Sequence, residues 1–334
     1  MRFRNSLRLL MENFKHVYKL LLAKLIIGLV ATALCCAFVL PELIEIWNSE
    51  AVKALVENVK DAFKALLVAD HTALEEIKEN LVGDNGAFAQ VAKLLASMRL
   101  EIILTLVGCV IVYLLRRFAE TVCHFTTGSM LNDKMSSYAE TGYLTAFVSN
   151  LGKSSVYSLV YVPVIFLFDV VMLALVYLLL AYTNILVSLF GGVTLIVFAQ
   201  ALKLTVTNRW MPAMTADNKR LREAIRYADQ KEKKQTGKVF SMYLVSVYLI
   251  LIVNVAAAVC SFGSALLVTV PASYFLLICE QYVNYYTLMG KKYFLTYEQI
   301  ATNPERGDSE HFFEYLTEER QKIAEQADEV KENN

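Results

Sequence analysis

Apolar residues in this chain are concentrated in long blocks separated by polar stretches, unlike the scattered apolar positions of a soluble domain. A helix that crosses a bilayer needs about 20 predominantly apolar residues. Six blocks reach or approach that length: residues 17–40, 100–118, 154–181, 184–206, 239–262 and 265–289. The pattern predicts an all-α, polytopic membrane bundle of six transmembrane helices. Composition agrees, because 56% of the 334 residues are hydrophobic and the mean hydropathy is positive.

The second block is the weakest of the six, since its charge-free run, residues 102–115, has only 14 residues. The distribution of charge supports it. With a cytoplasmic N-terminus, the segments on the inner side carry 24 of the 32 Lys and Arg residues, and the outer segment 42–98 carries 5 basic against 10 acidic residues. This is the positive-inside pattern, and it requires all six spans. We therefore expect a bacterial inner-membrane protein with both termini in the cytoplasm, and its first block is too long for a cleaved signal peptide.

Three cytoplasmic entries into a span resemble one another. Each has an amphipathic stretch and a polar break with Lys, followed by Val and an aromatic residue, at Val17-Tyr18, Val156-Tyr157 and Val239-Phe240. We expect interfacial helices in residues 1–16, 119–153 and 207–238, each lying in the headgroup plane. The arrangement is explained either by three parallel two-span repeats or by juxtamembrane helices of a kind common in membrane proteins.

The third entry also resembles a known family. The layout runs from Met211-Pro212-Ala213 through Glu223-Ala224-Ile225-Arg226 to Thr236-Gly237-Lys238-Val239-Phe240. It is similar to bacterial multi-span membrane proteins grouped with the membrane domain of glycerophosphoryl diester phosphodiesterases. The resemblance covers about 30 residues and implies a helical membrane bundle, often of unknown role. No phosphodiesterase domain is recognisable in the chain, so the resemblance implies no such activity.

The outer segment, residues 41–99, is predicted to form a helical extracytoplasmic cap. Pro41 is expected to end the first span, and Ser49 can cap the next helix. Thr72 and Glu75 fit a capping box for a second helix, and a third begins near residue 87. The apolar stripes of these helices either pack on one another or form a docking surface for another protein or a second copy of the chain.

The same topology places two charged segments in the cytoplasm. The loop 207–238 carries nine basic residues, and its position beside two spans favours contact with anionic lipids over nucleic acid. The tail 290–334 is acidic. It either docks on that loop or remains solvated.

Aromatic residues cluster where the sixth span leaves the bilayer. They are Tyr282, Tyr285, Tyr286, Tyr293, Phe294 and Tyr297. The cluster indicates an aromatic belt at the membrane interface, with a helix-packing face as the alternative.

A carboxylate lies inside the apolar third block, and it is Asp169. A bare carboxylate at the centre of a membrane helix costs about 2.5–3.5 kcal/mol, so Asp169 must be neutral, paired or hydrated. Asp169 and Asn254 both lie 15 residues from the cytoplasmic starts of their spans, which predicts a hydrogen bond at one depth. Glu280, Gln200 and Lys203 lie nearer the cytoplasm, where Glu280 is a candidate partner for Lys203. These five residues form either a polar path for a proton, ion or small solute, or a set of bonds that fixes the bundle.

Motifs for catalysis or metal binding are missing from the sequence. There is no HExxH, GxSxG, Walker A or GxGxxG pattern, and the four histidines are scattered. The six cysteines include no CxxC pair and lie in or beside apolar blocks, so they predict no disulfide framework, metal site or cofactor. The sequence therefore predicts a non-enzymatic scaffold or accessory membrane component. The alternative is a carrier or channel for a small solute or ion that uses Asp169 and Glu280. An intramembrane enzyme, the third possibility, lacks a paired nucleophile and base.

Overall fold

The computed structural model describes residues 2–68, 77, 80–82, 86–232 and 235–301, which are almost entirely helical. The helices are α1 (Arg2–Glu12), α2 (Lys15–Asn48), α3 (Glu50–Val68), α4 (Ala87–Ser97), α5 (Arg99–Ser137), α6 (Tyr143–Tyr182), α7 (Ile185–Thr207), α8 (Trp210–Ala216), α9 (Leu221–Glu232), α10 (Thr236–Cys260) and α11 (Leu266–Met289). A short antiparallel ladder pairs β1 (Tyr293–Phe294) with β2 (Ile300–Ala301).

Six described helical segments are long and apolar enough to cross a membrane. They are Lys15–Asn48, Arg99–Ser137, Tyr143–Tyr182, Val187–Ala216, Thr236–Cys260 and Leu266–Met289. Each overlaps one of the six predicted spans, the weak second one included. The prediction of an all-α chain with six helices long and apolar enough to cross a membrane is therefore confirmed.

The first span does not end at the predicted residue. Pro41 lies inside α2, which continues to Asn48. A proline removes only one backbone hydrogen bond from a helix, and membrane helices tolerate that loss. The residues after Pro41 include Glu, Leu and Ile, which continue a helix well, and no glycine follows to form a left-handed cap. The Ser49 hydroxyl accepts a hydrogen bond from the Val52 amide at 3.3 Å, so the predicted cap of the next helix is present.

The second amphipathic entry is also not a separate helix. It forms the first turns of α6, which runs without interruption from Tyr143 to Tyr182. The expected polar break is absorbed because the Ser154 hydroxyl donates to the Leu151 carbonyl, 3.0 Å away in the same helix. Only the first and third entries form separate helices, α1 and α9.

The chain divides into two compact units, one of Leu25–Ala119 and one of Met1–Lys24 with Glu120–Asn334. In the smaller unit, α3 packs against α4, which begins at Ala87 as the sequence predicts. Phe63 and Phe88 remain 68% and 54% exposed. The predicted capping box at Thr72 and Glu75 lies outside the described residues.

The larger unit is organised around α11. Helix α7 packs against α6 and α10, while α11 packs against α10, α1 and α8. Half of the most apolar window of α11 is buried, against none of the corresponding window of α6. The polar residues of α11 are therefore held mainly by protein, whereas most of α6 presents apolar side chains outward. The predicted docking of the acidic tail falls on residues 302–334, which lie outside the described residues.

Burial in the larger unit is concentrated at one end, which we name the packed end. It comprises the starts of α6 and α10, the ends of α7 and α11, the second half of α5, and helices α1 and α8. Its fully buried large side chains include Phe125, Met135, Tyr243, Phe275, Tyr282 and Tyr285. The opposite end, with the turns at Thr183 and Phe262, is named the open end.

Candidate functional site

The carboxylate in the third span forms an ion pair. Asp169 Oδ1 on α6 lies 3.0 Å from Lys203 Nζ on α7, and the two side chains are 22% and 12% exposed. The lysine compensates the charge of the carboxylate, which lowers the cost of placing both groups within an apolar bundle. The pair joins two helices that already pack side by side.

The predicted bond between Asp169 and Asn254 is wrong. Asn254 Nδ2 donates to Ser273 Oγ at 3.1 Å and to the Ile250 carbonyl at 2.8 Å, while its Oδ1 accepts from Thr269 Oγ1 at 2.7 Å. These bonds use both amide hydrogens and the amide oxygen. Asn254 therefore ties α10 to α11, because equal depth in the bilayer does not determine which face of a helix a residue occupies.

Glu280 is fully buried on α11, and its predicted pairing with Lys203 is also wrong. Its Oε1 atom lies 2.5 Å from the Ser246 hydroxyl of α10, which also lies 3.0 Å from the Met242 carbonyl. A hydroxyl has one proton, so it donates to one of these oxygens at a time. Glu280 Oε2 makes no hydrogen bond within the described part of the chain.

Asn284 lies one helical turn after Glu280 and is not a residue that the sequence reasoning singled out. It is fully buried, and neither atom of its amide has a hydrogen-bond partner among the described residues. Leu277 and Leu288 occupy the same stripe of α11 and pack against a cluster of residues from α7 and α10. The stripe therefore places Glu280 and Asn284 on the face of α11 that is turned toward those helices. The signal in the sequence was the spacing of four residues between the two polar positions.

Gln200 is the fifth residue that the sequence proposed. It is partly buried on α7, three residues before Lys203. The other four predicted residues thus fall into three separate places: the ion pair between α6 and α7, the Asn254 contacts between α10 and α11, and the buried stripe of Glu280.

Three tyrosines at the end of α11 bind polar groups on neighbouring elements. The Tyr282 hydroxyl lies 2.7 Å from the Thr215 hydroxyl, and the Tyr286 hydroxyl donates to Asn132 at 2.9 Å. The Tyr285 hydroxyl donates to Asp217 at 2.6 Å. All three side chains are at most 3% exposed. They form a packing face, the alternative to the predicted aromatic belt.

Asp217 follows α8 and receives several donors. Besides Tyr285, it pairs with Lys291 at the start of the segment that follows α11. Partial burial opposes ionisation of Asp217, but the hydrogen bonds from Lys291 and Tyr285 and the charge of Lys291 outweigh it, and they hold its pKa below the ordinary value. The ionised carboxylate therefore helps to fasten the end of α11 to α8.

Together these contacts describe a bundle in which several polar side chains bond to one another across helices. Among the described residues, no group of three or more His, Cys, Asp and Glu side chains is placed to hold a metal ion. On α11, Glu280 and Asn284 are fully buried positions at which side-chain polar atoms have no hydrogen-bond partner among the described residues.

No protein-family model matches the chain, and no curated protein or solved structure is significantly similar to it.

Proposed function

We propose that this protein is a non-enzymatic scaffold or accessory component of a bacterial inner membrane. The observation that carries the proposal is the use of its intramembrane polar residues. Asp169 pairs with Lys203, and Asn254 binds Ser273 and Thr269, so the side chains of these residues link neighbouring helices. Interhelical bonds of this type contribute about 0.6–2 kcal/mol each.

A double-mutant cycle tests the structural role of the ion pair. Asp169→Asn and Lys203→Met each leave one polar group without its partner, so each is expected to lower the thermal unfolding midpoint of the purified protein. The double variant is expected to recover part of that loss, with a coupling of about 0.5–3 kcal/mol. Additive losses would contradict a role of the pair in fastening α6 to α7.

A flux measurement tests the proposal against transport. Proteoliposomes with a trapped pH-sensitive dye, and others loaded with potassium, are compared with protein-free liposomes. We expect no proton or potassium flux above the protein-free level. Flux that disappears in a correctly folded Asp169→Asn variant would overturn the scaffold proposal.

A second candidate function is a proton-coupled carrier, favoured by the Glu280 stripe. Glu280 Oε2 and the Asn284 amide are buried without a hydrogen-bond partner among the described residues. Each such group lowers the stability of the fold by about 1–3 kcal/mol. A transported solute or proton that occupied this stripe would offset the cost. In this case Glu280→Gln abolishes proton flux, while Asn254→Leu, with its side chain in a different contact between α10 and α11, retains it.

The orientation proposed from the charge pattern has the N-terminus, the C-terminus and the packed end in the cytoplasm. In a variant without the native cysteines, Lys60→Cys is expected to react with a membrane-impermeant maleimide that is added to intact spheroplasts, in which only the outer face of the inner membrane is accessible. Lys153→Cys is expected to react only after permeabilisation. The reverse result would overturn the topology.

A further inference from the structure

A cavity of about 160 Å³ opens at the packed end of the larger unit. It lies where α1 meets α2, against the last turns of α5 and the connection from α5 to α6. Its lining residues are Asn13, Lys15, His16, Lys19, Met130, Lys134, Ala139, Glu140, Thr141 and Gly142. None of them takes part in the contacts between spans described above.

The lining of this cavity is strongly basic. It contains three lysines and a single carboxylate, Glu140. Glu140 Oε1 lies 2.6 Å from Lys15 Nζ and 3.4 Å from Lys134 Nζ, so a single oxygen is shared by two ammonium groups. The Lys134 side chain is 11% exposed, and its Nζ also lies 3.4 Å from the centre of the Tyr138 ring. A buried cation held in this way is a suitable partner for an anion.

Two buried side chains of the lining have polar atoms without partners. Asn13 is fully buried and donates Nδ2 to the Leu9 carbonyl at 3.0 Å, which leaves Oδ1 without a hydrogen bond among the described residues. His16 is 5% exposed, and its Nδ1 atom likewise has no partner there. Buried polar atoms are normally satisfied, and both residues line the cavity, which favours a ligand that supplies hydrogen-bonding groups.

We propose that the cavity binds a phosphate group that carries a neighbouring hydroxyl, as in a glycerophosphate. The lysines neutralise the phosphate, and Asn13 Oδ1 accepts from the hydroxyl. The cavity volume is that of roughly five water molecules in the liquid. This space is sufficient for a phosphate group, which has five heavy atoms. The source is either the headgroup of an anionic lipid or a soluble phosphate ester. The site is independent of the scaffold proposal.

Glu140 acts in this proposal as an internal competitor. Hydrogen bonds from Lys15 and Lys134 hold the pKa of Glu140 below its ordinary value, so the carboxylate is ionised at neutral pH and occupies the lysines. Its side chain is 63% exposed, which lets it turn into solvent when a phosphate enters. Removal of the carboxylate should therefore strengthen binding.

The test uses the full chain in neutral detergent, titrated at constant ionic strength with inorganic phosphate and with glycerol 1-phosphate, and followed by calorimetry. We expect glycerol 1-phosphate to bind more tightly than inorganic phosphate. Lys15→Gln, which changes a half-exposed lysine, should weaken binding about tenfold, and Lys134→Gln at least as much. Glu140→Gln should strengthen binding about threefold or more.

Matched surface variants control for general electrostatics. Lys153→Gln removes one positive charge, as the two lysine variants do, and Glu223→Gln removes one negative charge, as Glu140→Gln does. Both positions are exposed, on α6 and α9, and lie outside the cavity. Both should leave the affinity unchanged. The proposal is overturned if the control and cavity variants shift the affinity equally, or if Glu140→Gln does not strengthen binding.

A second set of titrations, in lipid nanodiscs, identifies the source of the phosphate. The chain is placed in nanodiscs of phosphatidylcholine with or without phosphatidylglycerol, and the titration with glycerol 1-phosphate is repeated. Competition by phosphatidylglycerol that is lost in Lys15→Gln assigns the site to a lipid headgroup. Binding unaffected by phosphatidylglycerol assigns it to a soluble ester. Absence of binding in detergent and of any effect of phosphatidylglycerol overturns the proposal.

Discussion

The two ends of the larger unit are stabilised in different ways. At the packed end, Phe275, Tyr243 and Tyr285 are fully buried. At the open end, Phe190 and Phe262 are 71% and 100% exposed, although the local sequence is at least as apolar. Hydrophobicity therefore does not identify the core of this protein, because lipid tails are as apolar as the side chains and give no net drive for helices to associate.

Polar and aromatic contacts therefore determine which ends of the spans pack against one another. The packed end carries the tyrosine bonds to Thr215, Asp217 and Asn132, and the open end of α6 and α7 has mostly aliphatic side chains. Stability should therefore respond strongly to changes at the packed end and weakly to equivalent changes at the open end.

Truncation of a phenylalanine should destabilise the packed end far more than the open end. Phe275→Ala empties a fully buried site beside the ring of His16 and should destabilise the fold by about 3–5 kcal/mol. Phe190→Ala removes a side chain that faces outward and should change stability by less than about 0.5 kcal/mol. Thermal unfolding in detergent, followed by near-ultraviolet circular dichroism, measures both. Equal losses for the two variants would contradict the comparison.

Two glycines, one at each end, should differ in the stability of their alanine variants by a smaller amount. A Cβ at Gly128 in α5 would lie 2.8 Å from the Tyr282 hydroxyl and 3.0 Å from the Met211 thioether, whereas a Cβ at Gly192 in α7 would meet nothing within 4 Å. Gly128→Ala must displace a ring held by Thr215, and overpacking of this kind costs about 1–3 kcal/mol. Gly192→Ala gains helix propensity without a clash and should be neutral or stabilising.

The measurement is the shift in unfolding midpoint of each alanine variant relative to the unchanged chain. The two shifts should have opposite signs, or one should be close to zero. A Gly128→Ala protein as stable as the unchanged chain would show that Tyr282 and Met211 move freely, and that the packed end is less rigid than its burial indicates.

The sequence predicted the number of spans but not the partners of the residues within them. Span number follows from the length of apolar blocks, which is a local property of the chain. The partner of Asp169 depends on which helices are neighbours and which faces they present. Counting residues from the bilayer surface predicts the depth of Asn254 but not the helix face on which it lies. For the same reason, the sequence does not show that Lys203 pairs with Asp169 rather than with Glu280.

The end of the first span and the buried tyrosines also could not be predicted from the local sequence. Pro41 is a breaker by local propensity, yet the residues after it continue α2. Tyr282 and Tyr285 suit a membrane interface, but they are covered because α8 and the second half of α5 pack over them, an arrangement brought about by contacts distant in sequence. The cavity near His16 likewise joins residues about 120 positions apart, so no local pattern indicated it.

The ionised Asp217 carboxylate should make a small, pH-dependent contribution to the stability of the packed end. Because the pKa of Asp217 is depressed in the folded state, its contribution is present above the unfolded-state pKa of about 3.9 and is lost as the pH falls through the folded-state value. The unchanged protein should therefore lose more stability between pH 6 and pH 3 than Asp217→Asn. The difference should be below about 1 kcal/mol, or about 2–4 °C in the unfolding midpoint, since solvent screens a partly exposed pair.

Lys291→Gln provides the matched control for this effect. It removes a main cause of the depressed pKa while Asp217 and its bond from Tyr285 remain, so the acid sensitivity should fall part of the way toward that of Asp217→Asn. Identical pH profiles for the unchanged chain and both variants would show that the carboxylate contributes nothing to the packed end. Its cohesion would then rest on aromatic burial alone, and the contrast between the two ends would be one of packing rather than charge.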